Sequence, residues 1–203
     1  INLLFAGEEL HKVEQWSATY APQLAKSKQN LALGWLSGAW QATLNLMGKT
    51  EHRVHLLGPV YHEDQILPKM QYVNDQVGVF GYHVIKMWLA YLFAEDELAI
   101  KHAACAKNSR MSSAPFLVIG VYDFYDPLIK LDLYHKADEE TQQSYQGEIS
   151  LAIAKLQTAA EHAPMNYLHK WHLLEAERSR VFADESSARK HYEAAIKLAP
   201  RST

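Results

Sequence analysis

Glu185-Ser186-Ser187-Ala188-Arg189-Lys190-His191-Tyr192-Glu193-Ala194-Ala195-Ile196-Lys197-Leu198-Ala199-Pro200 reads as a helix with small residues on one face and a proline stop. Two antiparallel helices approach closely only where small side chains meet. Ala188 and Ala195 supply that face, and Ala176 supplies its counterpart on a preceding helix expected from about Tyr167 to Phe182. Tyr192 lies between the two alanines, and Ala183-Asp184 reads as the turn between the helices.

This spacing is similar to the tetratricopeptide repeat: a small residue opening the second helix, an aromatic four on, alanine three further, then a terminal proline. An earlier pair, Met87 to Ala94 joined to Glu97 to Ala106, repeats the design with Ala99, Ala103 and Ala106 but lacks the aromatic. The copies are not a whole number of repeats apart. The expected fold is therefore all-α, with antiparallel helix pairs stacked as an irregular tetratricopeptide-like superhelix in one domain over 1–203.

Outward from these pairs, apolar residues recur at helical spacing almost everywhere. Leu10, Val13, Ser17 and Tyr20 mark a first helix, and Leu24, Lys28, Leu31, Trp35, Ala39, Ala42 and Leu46 a second, with the break expected near Pro22. From Gly48 through Gly58-Pro59 the chain reads as a connection. Glu63 to Val73 reads as a short helix containing Pro68, and Asp75 as the cap of a helix carrying Val77, Val84, Met87, Trp88, Tyr91 and Leu92. Glu95-Asp96-Glu97 places acids at the start of the next helix, where free amides favour them. Ser112-Ser113 and Pro115 are expected to start another. The run Leu117-Val118-Ile119-Gly120-Val121 has no second β-rich run to pair with and reads as helix. Asp138 precedes a long helix with Tyr145, Ile149, Ala152, Ile153 and Leu156 on one face, expected to end at Pro164 with Asn166 capping the next.

With 48% hydrophobic residues, the chain is too apolar for disorder. A formal charge of -3 gives no field to attract nucleic acid or an anionic bilayer, and neither is expected as a partner. The apolar stretch from Ala114 to Tyr134 is broken by Asp123, Asp126, Pro127, Lys130 and Asp132 and reads as buried helix rather than a membrane span. Cys105, the single cysteine, sits among alanines, and the cytoplasm is the expected compartment. The opening at Ile1, with neither Met nor a signal-like segment, leads to the expectation of a piece of a longer polypeptide.

Glu161-His162-Ala163-Pro164-Met165-Asn166-Tyr167-Leu168-His169-Lys170, then Leu174-Glu175-Ala176-Glu177-Arg178 and Tyr192-Glu193-Ala194-Ala195-Ile196, resembles a stretch of large multidomain sensor kinases, especially cyanobacterial ones. Asn45-Leu46-Met47-Gly48, Leu56-Leu57-Gly58, Leu67-Pro68 and Phe124-Tyr125-Asp126-Pro127-Leu128 are similar to the same region. That family places a Ser/Thr kinase-like domain and an AAA-type ATPase before a helical-repeat region, and a GAF domain and often a histidine kinase after it. The resemblance implies a non-catalytic regulatory module, with flanking ATPase, kinase or sensor domains or another protein as its partners. None of the neighbouring domains' catalytic motifs is present, so no catalytic, cofactor or metal residue is assigned.

Candidate chemistry is thin. His169 and His172, with Glu175 beyond them, offer part of a zinc set, but no further ligand is fixed by the sequence; His52, His55 and His62 lie near the long connection. His62-Glu63-Asp64 has the wrong order for a phosphohydrolase motif. Asp123 and Asp126 are expected to cap or interrupt the helix before Pro127 and to face solvent or a basic neighbour. The tryptophans and the Tyr122, Phe124, Tyr125 cluster read as core, with an aromatic groove for a small molecule as the alternative function. A standalone helical metalloenzyme is the weakest alternative.

Overall fold

The computed structural model describes residues 2–110 and 117–199. Among them the chain is helical, with no strand and only an isolated antiparallel bridge between Leu57 and His62. It divides into two compact units, Ile1–Tyr122 and Asp123–Thr203.

The first unit runs α1 (Asn2–Phe5), α2 (Leu10–Lys26), α3 (Asn30–Leu46), α4 (Glu63–Tyr72), α5 (Gln76–Leu92) and α6 (Asp96–Ser109), and ends within α7 (Leu117–Leu133). The second holds the rest of α7, a 3-10 turn at Tyr134–Lys136, α8 (Glu139–His162), α9 (Pro164–Val181) and α10 (Glu185–Leu198). No described helix is long and apolar enough to cross a membrane.

One turn geometry joins α2 to α3, α4 to α5, α5 to α6 and α9 to α10. In each, a residue in the left-handed region ends the first helix: Lys28 at φ 57, Asn74 at φ 55, Ala94 at φ 57 and Ala183 at φ 60. The next amide then reaches back six residues' span to close the last turn, as Glu95 N to Ala90 O at 2.8 Å and Asp184 N to Ser179 O at 2.9 Å. Asp75 and Asp184 then cap the following helices, accepting from the amides of Gly78 at 2.9 Å and Ser187 at 3.1 Å.

The alanines expected at helix crossings are buried: Ala99, Ala103 and Ala106 on α6, Ala176 on α9, Ala188 and Ala195 on α10. Each lets a backbone approach that a larger side chain would hold off.

Several boundaries differ from expectation. Pro22 does not break a helix; it lies inside α2, on the exposed side, and the break falls at Lys28. Pro164 does not end a helix but begins one, its missing amide hydrogen being no loss at a first helical position, so Asn166 lies inside α9 and Ala163 is the residue before it. Pro127 likewise lies within α7, which Asp123 and Asp126 do not interrupt. The helix start expected at Ser112-Ser113 and Pro115, and the stop at Pro200, lie outside the described residues.

Candidate functional site

The first unit holds a half-open cavity of about 390 Å³ between α3 and α5. α3 contributes Trp35, Gly34 and Gly38; α5 contributes Gly78, Gly81, Tyr82 and Ile85. Met70 of α4, Val118 of α7, and Leu56 and Tyr61 from the connection close it.

Two polar side chains on the inner face of α3 hold that connection in place. Asn45 Nδ2 donates to the carbonyls of His55 at 2.8 Å and Arg53 at 3.3 Å, and its Oδ1 accepts from Gln41 at 3.0 Å and Thr50 at 2.9 Å. Both amides are buried, so the connection answers hydrogen-bonding groups that would otherwise be left without partners. Gly58 is needed because a Cβ there would fall 2.5 Å from the Gln41 side chain.

At the mouth end, Trp35 Nε1 donates to Asp75 Oδ2 at 2.8 Å, which fixes the indole. The same carboxylate excludes a side chain at Gly78, where a Cβ would fall 2.2 Å from Oδ2. The cap of α5 and the cavity wall are thus one construction.

Next to the lining residues Leu56 and Ile85 lies a buried ion pair. Lys86 is 1% exposed, and its Nζ donates to Glu63 at 3.0 and 2.9 Å. Glu63 also accepts from the Leu56 amide at 2.9 Å and lies 2.9 Å from His55 Nδ1. Burial alone would raise the Glu63 carboxyl, but the hydrogen bonds from His55, Leu56 and Lys86 outweigh it and hold it below its ordinary range. Burial, and then the charge of Glu63, pushes the phenols of Tyr61 and Tyr82 upward, so both stay protonated. The second unit buries a lysine too: Lys130 Nζ lies 2.6 Å from Asp126 and 2.5 Å from Glu148.

A second feature recurs. On α5 and α6, His83 and His102 approach Nδ1 to Nδ1 at 2.9 Å; on α9 and α10, His172 and His191 do so at 3.0 Å. The partners are 19 residues apart in both cases, and both hairpins place Tyr82 or Trp171 edge-on to the second histidine. Burial drives the first pair down, His83 to about 4 and His102 to about 3, so at neutral pH one ring donates and the other accepts. His172 is lowered as well, first by burial.

The residues singled out in the sequence scatter. His172 turns to His191 rather than joining His169 and Glu175 about an ion, and Glu175 pairs with Arg178 at 2.6 Å. Among the described residues no three or more histidine, cysteine or acidic side chains gather as a metal would require. His55 joins Glu63, while His52 lies against His55 ring to ring at 5.8 Å. Asp126 faces a basic neighbour, Lys130. Tyr122 and Phe124 are buried, and of the tryptophans Trp35 reaches the cavity wall.

Lys86 between Ile85 and Met87, and Lys130 between Ile129 and Leu131, were visible as charges in apolar runs. The equal histidine spacing, with the first of each pair directly after an aromatic, was visible too. Comparison with protein families, with curated proteins and with solved structures gives no match.

Proposed function

We propose that this chain is a non-catalytic, tetratricopeptide-like helical-repeat module of a multidomain signalling protein of the kinase and ATPase kind, working by contact with flanking domains or a protein partner. The observation that supports it is the recurring left-handed turn at Lys28, Asn74, Ala94 and Ala183, with alanines at the crossings of the α5–α6 and α9–α10 hairpins. Hairpins built alike stack into extended recognition surfaces. Crosslinking the parent polypeptide tests it: links are expected from exposed Lys155 and Lys197 to segments outside this chain or to a partner protein. Repeated absence of any such link overturns the reading.

A second reading, a helical module that senses a small molecule, is supported by the apolar cavity of the first unit. A thermal-shift screen in which no compound raises the melting temperature argues against it.

A further inference from the structure

Two glycines of α3, Gly34 and Gly38, are not forced to be glycine, since an added Cβ would meet no atom closer than 3.4 Å. Glycine weakens a helix interior relative to alanine. A Cβ built at Gly34 would meet Met70 Cε at 3.4 Å, and one at Gly38 would meet Tyr61 Cε2 at 3.4 Å. Both lie at the near edge of ordinary van der Waals contact. Alanine would fit, would favour the helix and would bury a methyl group. Gly58 and Gly78 are different, since side chains there would collide with Gln41 and Asp75. Gly34 and Gly38 both line the cavity, and a methyl group at either would stand against its wall, beside Met70 or the Tyr61 ring.

The walls specify what that space suits. Trp35, Tyr61 and Tyr82 present ring surface, and Leu56, Met70 and Ile85 complete an apolar lining. Among the described residues that line it, none is cationic. Buried Lys86, next in the chain to Ile85 of the wall, is engaged by both oxygens of Glu63, and Trp35 of the wall donates to the carboxylate of Asp75. An anion entering here would lose its hydration and find no positive partner.

Resting on the small-molecule reading, we infer that the α3–α5 cavity binds an uncharged, largely aromatic small molecule, that Gly34 and Gly38 make its room, and that anionic ligands are rejected. The purified chain is titrated with N-phenyl-1-naphthylamine, a neutral fluorescent probe, and with 1-anilinonaphthalene-8-sulfonate, its sulfonated counterpart.

The expected result is saturable one-to-one binding of the neutral probe, with the sulfonate weaker by about tenfold or more. Gly38→Ala should raise the melting temperature yet weaken the neutral probe by about fivefold, because the added methyl helps the helix and occupies the cavity. Gly38→Leu, checked for a folded circular dichroism spectrum, should abolish binding. Equal affinity for the two probes overturns the ligand class while leaving a ligand-binding cavity in place. Unchanged neutral-probe affinity in Gly38→Ala and Gly34→Ala overturns the site. No binding by the unaltered chain, with both alanine variants more stable, overturns the proposal and the small-molecule reading together.

Discussion

Replacing Lys86 by methionine keeps most of the side-chain volume and removes the charge, so it isolates the worth of the buried ion pair. Lys86 is 1% exposed and Glu63 8%, and the two share contacts of 3.0 and 2.9 Å. Taking away one member of a buried pair costs about 3–5 kcal/mol, chiefly because the other charge is stranded. Glu63 retains the Leu56 amide and His55, which places the expected loss near the lower end, about 3 kcal/mol. The double variant Lys86→Met, Glu63→Met strands no charge; it leaves the buried Leu56 amide without its acceptor, at about 1–3 kcal/mol, and returns half-exposed His55 to water. The double variant should therefore be no less stable than the single. Urea unfolding at neutral pH, followed by far-ultraviolet circular dichroism, measures both. The sign with pH follows from the lowered Glu63 carboxyl. Its stabilising contribution is present above its ordinary value of 4.5 and is lost as pH falls through the lower folded value. A single variant that loses less than about 1 kcal/mol, or a double variant that loses the sum of two stranded charges, would refute the claim that this pair is desolvated and tightly coupled.

Other outcomes follow from the same geometry. His83 and His102, lowered to about 4 and about 3, bind protons in the unfolded chain before they do so in the fold; stability should be full above 6.5 and fall by about 2 kcal/mol between pH 6 and 5, a slope that His83→Leu, His102→Leu flattens in urea titrations at stepped pH. Asn45→Ala removes the anchor of the connection and should cost about 2–3 kcal/mol; limited proteolysis should then cut between Lys49 and His62, and an unchanged digestion pattern would contradict the anchoring role. Ala94→Gly and Ala183→Gly relieve left-handed strain at φ 57 and φ 60 and should each raise stability by about 1 kcal/mol, read as a higher urea midpoint at constant slope.

The helical hairpins were legible because their determinants are local. Ala176, Ala188 and Ala195 leave a gap that a facing helix can enter, and Asp75 and Asp138 stand where free amides need acceptors. Boundaries were misjudged where a residue can play two parts. Proline tolerates the first helical turn and, on an exposed face, the interior, so Pro22 and Pro164 carried no fixed meaning. The true break at Lys28 had no signature, since a lysine in the left-handed region looks like any other lysine. The cavity was hidden for a different reason: its walls come from α3, α4, α5, α7 and the connection, distant in the chain, and only assembled coordinates bring them together. Lys86 illustrates a third limit, because its partner Glu63 arrives from a helix whose position depends on the Asn45 anchor.

The matched histidines carry a corollary for how these hairpins can be exchanged. Counting from His83 and His172, the residue one helical turn onward is Lys86 in one hairpin and Glu175 in the other. Grafting the α9–α10 hairpin in place of α5–α6 would preserve the left-handed turn, the alanines at the places of Ala99 and Ala106 and the imidazole contact, yet would put Tyr192 where Ala103 stands and aim a second carboxylate at Glu63. Alike in outline, the two segments are made non-interchangeable by an inverted charge at the place of Lys86 and an aromatic at the place of Ala103.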